Sequence, residues 1–319
     1  MGQYALRRII LNFFVLWLVA TMVFVSIRVL PGNYATQQFA SMSLGGVTPE
    51  SIARAEEILG LDKPVTEQYV EFMTDLITLD LGESFRTHNS VWSEVGSALP
   101  YSLELGFLVV LVGFSVAIPV GVISAVKQDK PADYLLRGIA ITALAAPVFW
   151  TASIAVIFVL KWDLLAIDVT GQPHLWTDPW GALQWYLIPM LAGGFASTAN
   201  VMRLLRSELL EVLRQDYVRT ARAKGLAERS VIIRHAMRNA FLPVITVMGL
   251  TVATLISSQI VLESMFNIPG VGRELFQSIF LRDYPLFQGL VIITTFVIVF
   301  TNLAVDILYG FLDPRIRLS

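Results

Sequence analysis

The sequence predicts an all-α, polytopic membrane protein, and three observations lead to that prediction. The 319-residue chain is 55% hydrophobic and only 15% charged, whereas a soluble domain carries about a quarter charged residues. Its mean hydropathy is +0.66. Six apolar runs have roughly the 20-residue length that a helix needs to cross the hydrocarbon core. Because so few charges cannot cover a water-exposed surface, we interpret the runs as transmembrane helices.

The six runs differ in strength. They cover residues 9–30, 102–126, 135–160, 185–202, 240–262 and 286–305. The fourth is the weakest, because Gly193, Gly194 and nearby small polar residues dilute it. Small residues let helices approach closely inside a bundle, so this run is expected to be a buried helix. Pro119, Pro147 and Pro189 are expected to kink helices or to act as hinges.

The long polar segment between the first two runs is expected to form a small helical region outside the membrane. A first helix is predicted over 48–59, with Thr48 as N-cap and Gly60 as its stop. A second helix is predicted over 66–79, capped by Thr66. The predicted domains are listed here in chain order: 1–30, the N-terminal tail and first transmembrane helix; 31–99, the external helical region; 100–319, the core with five further transmembrane helices.

The distribution of basic residues predicts the orientation. Six spans place both termini on the same side. If that side is the cytoplasm, 16 of the 23 Lys and Arg residues lie in cytoplasmic segments. Short loops rich in Lys and Arg stay in the cytoplasm. The sequence therefore predicts cytoplasmic N- and C-termini, an acidic region outside, and a basic loop of about 203–239 inside, between the fourth and fifth spans.

A charged stretch, residues 204–243, lies between two apolar runs. Four apolar side chains recur at helical spacing within it, namely Leu210, Leu213, Tyr217 and Ala221. This spacing predicts an amphipathic helix with one docked face, and Gly225 is expected to break it and serve as a joint. Docking to a protein is one interpretation, and a loop that only sets topology or a helix lying on anionic lipid are the others. Nucleic-acid binding is disfavoured, because the loop has no aromatic platform.

The residue types that catalysis or metal binding would need are missing or scattered. The chain has no cysteine, and its three histidines are far apart in the sequence. It has no phosphate-binding loop of the Gly-x-x-x-x-Gly-Lys-Ser/Thr type. We therefore expect no catalytic residue, no metal site and no cofactor-binding residue. Glu104 and Glu263 are expected at the membrane interface. Asp306 is a mid-span charge, but an ion-coupled carrier usually has several.

The segment from Tyr217 to Gly225 resembles the EAA loop of ABC importer permeases, in particular the dipeptide/oligopeptide (DppB/OppB-type) class. In that family the loop forms the coupling helix, which seats in a cleft of the ATPase subunit. Ala221 and Gly225 match the second small residue and the glycine of the motif, whereas Thr220 stands at its first alanine and Arg219 at its glutamate. The resemblance implies an ATPase-coupling site that consists of Tyr217, Arg219, Thr220, Ala221, Arg222, Ala223, Lys224 and Gly225.

Six other motifs resemble the same class and follow its usual order. They lie at residues 59–64, 80–85, 147–150, 268–272, 282–285 and 313–315. The resemblance thus covers nearly the whole chain. It implies a permease subunit in a prokaryotic inner (cytoplasmic) membrane. The implied partners are a homologous second permease, two ABC ATPases that bind the ATP, and an external solute-binding protein.

Two of these motifs precede the last span and predict an external-face loop near the binding protein or the gate. Its members are Pro269, Gly270, Gly272, Arg282, Asp283 and Tyr284. The class includes peptide, nickel, glutathione and oligosaccharide systems, so the solute stays open. The alternative function is an ion-coupled secondary transporter or a channel that acts without an ATPase.

Overall fold

The structure is a computed structural model that describes residues 2–29, 53–54, 56–57, 60–162 and 171–312; within these ranges it does not describe the side chains of 2–9, 27, 253–258 and 305–312. Of the first predicted external helix, only 53–54 and 56–57 lie in the described part, and they are helical. The motif at 313–315 lies outside it.

The described chain is built from helices, which confirms the all-α prediction. The helices in chain order are α1 (Gly2–Val29), α2 (Val65–Ile77), α3 (Val91–Val126), α4 (Pro131–Ala145), α5 (Val148–Lys161), α6 (Pro179–Leu213), α7 (Asp216–Ala223), α8 (Glu228–Ser230), a π-helical turn (Val231–Ala236), α9 (Met237–Met265), α10 (Val271–Leu281) and α11 (Tyr284–Leu312). One isolated antiparallel bridge joins Glu83 to Ser90.

Three helices of the described chain are long and apolar enough to cross a membrane: Val91–Val126, Glu228–Val252 and Tyr284–Ala304. Helices α4 and α5 pass the same test as a bent pair and bring the number to four. Helix α1 contributes a shorter apolar stretch, Ile10–Ser26. The chain is therefore a multi-pass membrane protein by the length and composition of its helices, while the count of six spans stays a prediction.

The predicted third span is two helices rather than one. Helices α4 and α5 are bent by 108° at Ala146 and Pro147. Ala146 is extended, with φ −83° and ψ 122°, because the ring of a following proline disfavours the α conformation. At about 1.5 Å per residue, each half is about 20 Å long, which is shorter than the roughly 30 Å hydrocarbon core. Pro147 thus breaks the span, whereas Pro189 lies inside the continuous helix α6.

The chain divides into two compact units. One comprises Met1–Pro100 and Pro269–Val299, and the other comprises Tyr101–Ile268 and Phe300–Ser319. We call them the first and the second unit and describe each by itself.

In the second unit, α6 is the most deeply packed helix. Its buried residues include Tyr186, Met202, Leu205 and Leu209, which confirms the expectation for the fourth run. Two glycines allow α3 to come close to it. A Cβ at Gly193 would lie 2.9 Å from Val109 Cγ2, and one at Gly194 would lie 2.8 Å from Val112 Cγ1. Close helix approach through small residues is the expected packing mode within a membrane.

In the first unit, α2 packs its aromatic face against the C-terminal half of α1. The ring of Phe24 lies 5.2 Å from that of Tyr69 and 5.5 Å from that of Phe72. The helix begins after Pro64 without a side-chain cap, so the predicted cap at Thr66 is wrong by two positions. Proline supplies the start instead, because its fixed φ suits the residue that precedes a helix.

Candidate functional site

The predicted coupling loop, residues 203–239, contains a short helix held by two small apolar side chains. These are Val218 and Ala221 of α7, which are 0% and 6% exposed. They pack against Val231 of the π-helical turn and against the end of α6. Positions 218 and 221 are three apart and therefore share one face of a helix. The buried face of α7 is thus narrow, and the rest of the helix is open to solvent.

The amphipathic helix predicted across residues 207–222 is divided into two. Helix α6 ends at Leu213, and α7 begins at Asp216. Because the break changes the direction of the helix, Tyr217 does not continue the buried stripe of α6. Its side chain is 42% exposed, and its hydroxyl accepts a hydrogen bond from Asn239 Nδ2 at 2.7 Å. The break therefore separates Tyr217 from Leu210 and Leu213, with which the sequence predicted a shared helix face.

The exposed face of α7 carries charge that is paired within the loop. Arg222 donates from Nε and Nη2 to the two carboxylate oxygens of Glu228, at 3.1 and 2.7 Å. These bonds raise the pKa of Arg222 and lower that of Glu228. Arg219 lies 3.4 Å from Asp216, and both of these side chains are mostly exposed. The cationic face is therefore ordered near Glu228 and loosely held at Arg219.

Gly225 is the joint that the sequence predicts. Its φ is +76°, a conformation that glycine adopts readily and L-residues with a side chain rarely adopt. A Cβ at this position would meet no atom within 4 Å, so the requirement for glycine comes from the backbone and not from crowding. The chain reverses here between α7 and α8. Thr220, Ala223 and Lys224 are exposed on the approach to the joint.

A buried carboxylate that the sequence did not single out fixes the base of the loop. Asp133 is 0% exposed and accepts hydrogen bonds from Nε and Nη2 of Arg206, at 2.8 and 2.7 Å. Ser124 Oγ donates at 2.5 Å and the amide of Asp129 at 3.0 Å. The bonds from Arg206 hold the pKa of Asp133 well below its usual range, with those from Ser124 and Asp129 adding to the effect. The sequence signal that could have drawn attention to Asp133 is its position as an acidic residue in the first turn of a helix that begins at Pro131.

The predicted external-face loop is organised around another buried carboxylate. Asp283 is 0% exposed. Its oxygens accept hydrogen bonds from Ser84 Oγ at 2.5 Å and from the amides of Phe85 at 3.1 Å, Arg86 at 3.2 Å and Leu286 at 3.3 Å. The motifs at 80–85 and 282–285 are therefore bound to each other, about 200 residues apart in sequence.

The other predicted members of that loop lie at the two ends of α10. Gly270 and Gly272 are buried at its start, and Pro269 is half-buried. Arg282 ends the helix in the left-handed conformation, with φ 52°. Tyr284 is 5% exposed. Most of the six predicted residues thus shape the loop from within, and only Pro269 and Arg282 are partly open to solvent.

Two glutamates expected at the membrane interface are buried within the second unit. Glu104 is 5% and Glu263 1% exposed. Ser102 donates to Glu263 Oε1 at 2.6 Å, and Glu104 Oε1 lies 3.0 Å from His174 Nδ1. Both side chains meet partners from distant parts of the sequence, and these partners offset the cost of burial. Among the described residues, no group of three or more His, Asp or Glu side chains could hold a metal ion.

With this geometry established, comparison with known proteins shows where the chain belongs. The family model of the binding-protein-dependent transport system inner membrane component matches residues 117–318. The model of the N-terminal part of such membrane components matches residues 1–106. The chain belongs to this family. It is a permease subunit of an ABC importer and therefore a transport component rather than an enzyme.

The permease is similar over nearly its full length to several curated proteins. It is 36% identical to the dipeptide transport system permease protein DppB of Escherichia coli (strain K12), over 99% of both chains. It is 35% identical to the di/tripeptide transport system permease protein DppB of Pseudomonas aeruginosa (strain UCBPP-PA14), over 94% of both chains. The predicted dipeptide/oligopeptide permease class is confirmed. The alternative of a carrier or channel without an ATPase has no support among these relatives.

The fold of the permease is also found in a solved structure. A crystal structure of an amino acid ABC transporter with histidines matches with a TM-score of 0.50 and 16% identity, over 70% of this chain and 94% of that chain. At this identity the match concerns the fold alone. As a binding-protein-dependent inner membrane component, the permease acts in an ABC system with a solute-binding protein, a partner permease and an ATPase.

Proposed function

We propose that this permease conducts short peptides across the inner membrane, through a pathway shared with a homologous second permease. Two ATPases bind its cytoplasmic side and a solute-binding protein delivers the peptide outside. The names of the relatives support the substrate class, since one is a dipeptide and another a di/tripeptide transport permease. The permease itself performs no chemistry, and it moves solute only by changing between states that the ATPases stabilise differently.

In this proposal the chain crosses the membrane six times, with both termini in the cytoplasm. The bent pair of α4 and α5 counts as one crossing. The excess of Lys and Arg in the segments then assigned to the cytoplasm supports this orientation. It places the predicted coupling loop inside, and it places α2 and the predicted external-face loop outside.

The exposed face of α7 seats in the ATPase in this proposal. One observation carries this assignment. Two small side chains, Val218 and Ala221, anchor α7 to the membrane part, while Arg219, Thr220 and Arg222 face outward. A short helix with one anchored and one free face can transmit a push from a bound partner to α6 and α9. The glycine joint at Gly225 lets α7 turn as a rigid piece.

Replacement of Ala221 by Asp tests the anchoring of α7. A carboxylate at this buried position has no partner, so α7 is expected to leave its seat against Val231. Solute-stimulated ATP hydrolysis by the purified complex should fall at least tenfold, and less ATPase should copurify. Ala227→Asp is the matched control, because residue 227 is exposed at the start of α8. Equal activity of the two variants would contradict the assignment of α7 as the coupling helix.

The absence of cysteine makes the orientation directly measurable. Single variants Thr220→Cys and Thr74→Cys place one thiol on each proposed side of the membrane, at exposed positions of α7 and α2. A membrane-impermeant maleimide added to intact cells should label only the variant at 74. After the cells are permeabilised, the maleimide should label both variants. Labelling of the variant at 220 in intact cells would reverse the proposed orientation.

A further inference from the structure

An open cavity of about 210 Å³ lies in the first unit, where α1, α2 and α11 meet. One face of α2 lines it, and the lining residues of that face are Gln68, Glu71, Phe72, Asp75 and Leu76. The spacing of three and four residues is that of a single helix face. The volume is smaller than the roughly 300–1,000 Å³ of sites for drug-sized ligands, so the cavity suits a small molecule.

One end of the cavity offers donors to an anion. Arg28 bonds the neutral amide of Gln68 through Nε and Nη2, at 3.0 and 2.7 Å. Among the described residues it has no carboxylate partner, so its charge is not neutralised. Gln288 lines the same cavity, and its side chain carries the amide nitrogen Nε2. This nitrogen is buried, in a residue 8% exposed, and has no hydrogen-bond partner in the described part of the chain.

The unpartnered amide is the observation that points to a ligand. A buried donor without an acceptor is costly, and in native structures such groups are rare unless something else satisfies them. Gln288 lies one helical turn from Tyr284, which is within electrostatic reach of Arg28. Arg28, Tyr284 and Gln288 all line the cavity, so we assign the amide and the guanidinium to the same end of it. Together they present donors suited to a carboxylate.

The other end of the cavity is acidic. Asp75 and Asp80 both line it, and Glu71 beside them is already paired with Lys63 at 2.6 Å. The Asp75 carboxylate accepts no hydrogen bond from any described residue. Partial desolvation of this largely exposed carboxylate raises its pKa, and the nearby charges of Asp80 and Glu71 add to the rise. An ammonium group at this end would relieve that repulsion, since opposite charge favours the ionised carboxylate.

The distance between the two ends sets the size of the ligand. Asp75 lies seven residues beyond Gln68, the partner of Arg28, which is about 10 Å along a helix at 1.5 Å per residue. A free amino acid is too short to join the two ends. An extended chain of two or three residues, at about 3.3–3.6 Å each, has the matching length.

We propose that this cavity binds a short zwitterionic peptide, with its carboxylate at Arg28 and Gln288 and its ammonium group at Asp75 and Asp80. The site lies on the permease itself, and none of its lining residues belongs to the predicted coupling loop. Its location on the outer side rests on the orientation in the proposed function, but the binding does not. A peptide bound here would lie on the outer side of the permease, from which the solute enters.

The test measures equilibrium binding of Ala-Ala to the full-length permease in lipid nanodiscs without ATP. Two blocked peptides serve as probes of the ends: N-acetyl-Ala-Ala, which lacks the ammonium group, and Ala-Ala-amide, which lacks the carboxylate. In the wild type each should bind about ten- to a hundredfold more weakly than Ala-Ala, the effect expected for loss of a charge-assisted hydrogen bond.

Two variants assign the ends. Asp75→Asn should weaken Ala-Ala binding about tenfold or more and should abolish the discrimination against N-acetyl-Ala-Ala. Gln288→Leu should reduce the discrimination against Ala-Ala-amide. Asp75 is exposed, and leucine removes the unpartnered polar group of Gln288, so both variants should fold. Glu67→Gln is the matched control, since residue 67 lies on α2 outside the cavity lining, and it should bind as the wild type does.

Three results would overturn the proposal. They are no saturable binding of Ala-Ala, equal binding of the blocked peptides, and variants at 75 and 288 that behave like Glu67→Gln. A permease that binds Ala-Ala here but does not support ATP-driven uptake would leave this site intact and would contradict the proposed function. Uptake without binding at this cavity would contradict the cavity proposal and would leave the proposed function intact.

Discussion

Arg206 and Asp133 form a two-point ion pair, in which Nε donates to Oδ1 at 2.8 Å and Nη2 donates to Oδ2 at 2.7 Å. The aspartate side chain is 0% exposed and that of the arginine 16%. The pair joins the start of α4 to the part of α6 that leads into α7, across 73 residues of sequence. A displacement of α7 that moves α6 would therefore also move the start of α4.

Arg206→Leu is expected to lower the free energy of unfolding by about 3–5 kcal/mol, because it leaves a buried carboxylate without its main partner. Thermal unfolding of the purified permease measures this loss. Arg137→Leu is the control, since Arg137 lies 3.8 Å from the same carboxylate and is 36% exposed, and its loss should be about 1 kcal/mol or less. The double variant Asp133→Leu/Arg206→Leu should recover much of the loss; an additive result would contradict the pairing.

The pH dependence of stability follows from the same pair. The pKa of Asp133 is depressed in the folded state, so its contribution is fully present above the ordinary aspartate pKa of about 3.9. It is lost only as the pH falls below that value towards the depressed pKa. The difference in melting temperature between wild type and Asp133→Asn should stay constant from about pH 8 down to about pH 5 and narrow below about pH 4. A difference that already closes near neutral pH would rule out a depressed pKa.

Glu228→Gln is expected to separate stability from coupling in the 203–239 loop. The pair with Arg222 is half exposed, so its loss should change the free energy of unfolding by less than about 1 kcal/mol. The same change removes the bond that fixes Arg222 across the Gly225 joint, and solute-stimulated ATP hydrolysis should fall severalfold. Asp216→Asn, which breaks the looser pair with Arg219, is the control. If both variants hydrolyse ATP at the same rate, the Arg222 pair does not brace the joint.

Asp283→Asn should loosen the loop at residues 84–86. The carboxylate accepts backbone hydrogen bonds from Phe85 and Arg86, and an amide nitrogen in its place would face these donors without an acceptor. Each charge-assisted bond contributes about 1.5–3 kcal/mol. Hydrogen exchange at the amides of 85 and 86 should accelerate markedly, while exchange in the middle of α6 should not change. Ser84→Ala should give a smaller effect, and protected amides in Asp283→Asn would refute the role of the carboxylate.

The sequence predicted those features that depend on neighbours along the chain. The joint at Gly225 and the place of Ala221 on a buried helix face are local consequences of residue type and spacing. The buried character of α6 also followed, because small residues and apolar length are local properties. Pro147 was expected to kink a helix or to act as a hinge, but it divides the predicted third span into two helices. A following proline changes the backbone of Ala146 from helical to extended, and nothing nearby restores the helix.

The features that escaped prediction depend on partners distant in sequence. Asp133 is paired with Arg206, and Asp283 binds the chain near Ser84. Glu104 is buried because His174 lies beside it. A single sequence does not reveal which charged side chains will meet, so these pairings could not be predicted from it. The cavity in the first unit escaped for the same reason, since its two ends come from three separate helices.

The π-helical turn at Val231–Ala236 makes the length of this loop as important as its composition. A π turn accommodates a residue more than an α turn does, and each α-helical residue rotates the chain by about 100°. Deleting a single residue between 231 and 237 would let the turn relax to an α-helix. It would also swing everything before it around the axis of α9, carrying Val231 away from Val218 and Ala221. Changes of length here are therefore expected to abolish coupling even where every substitution is tolerated.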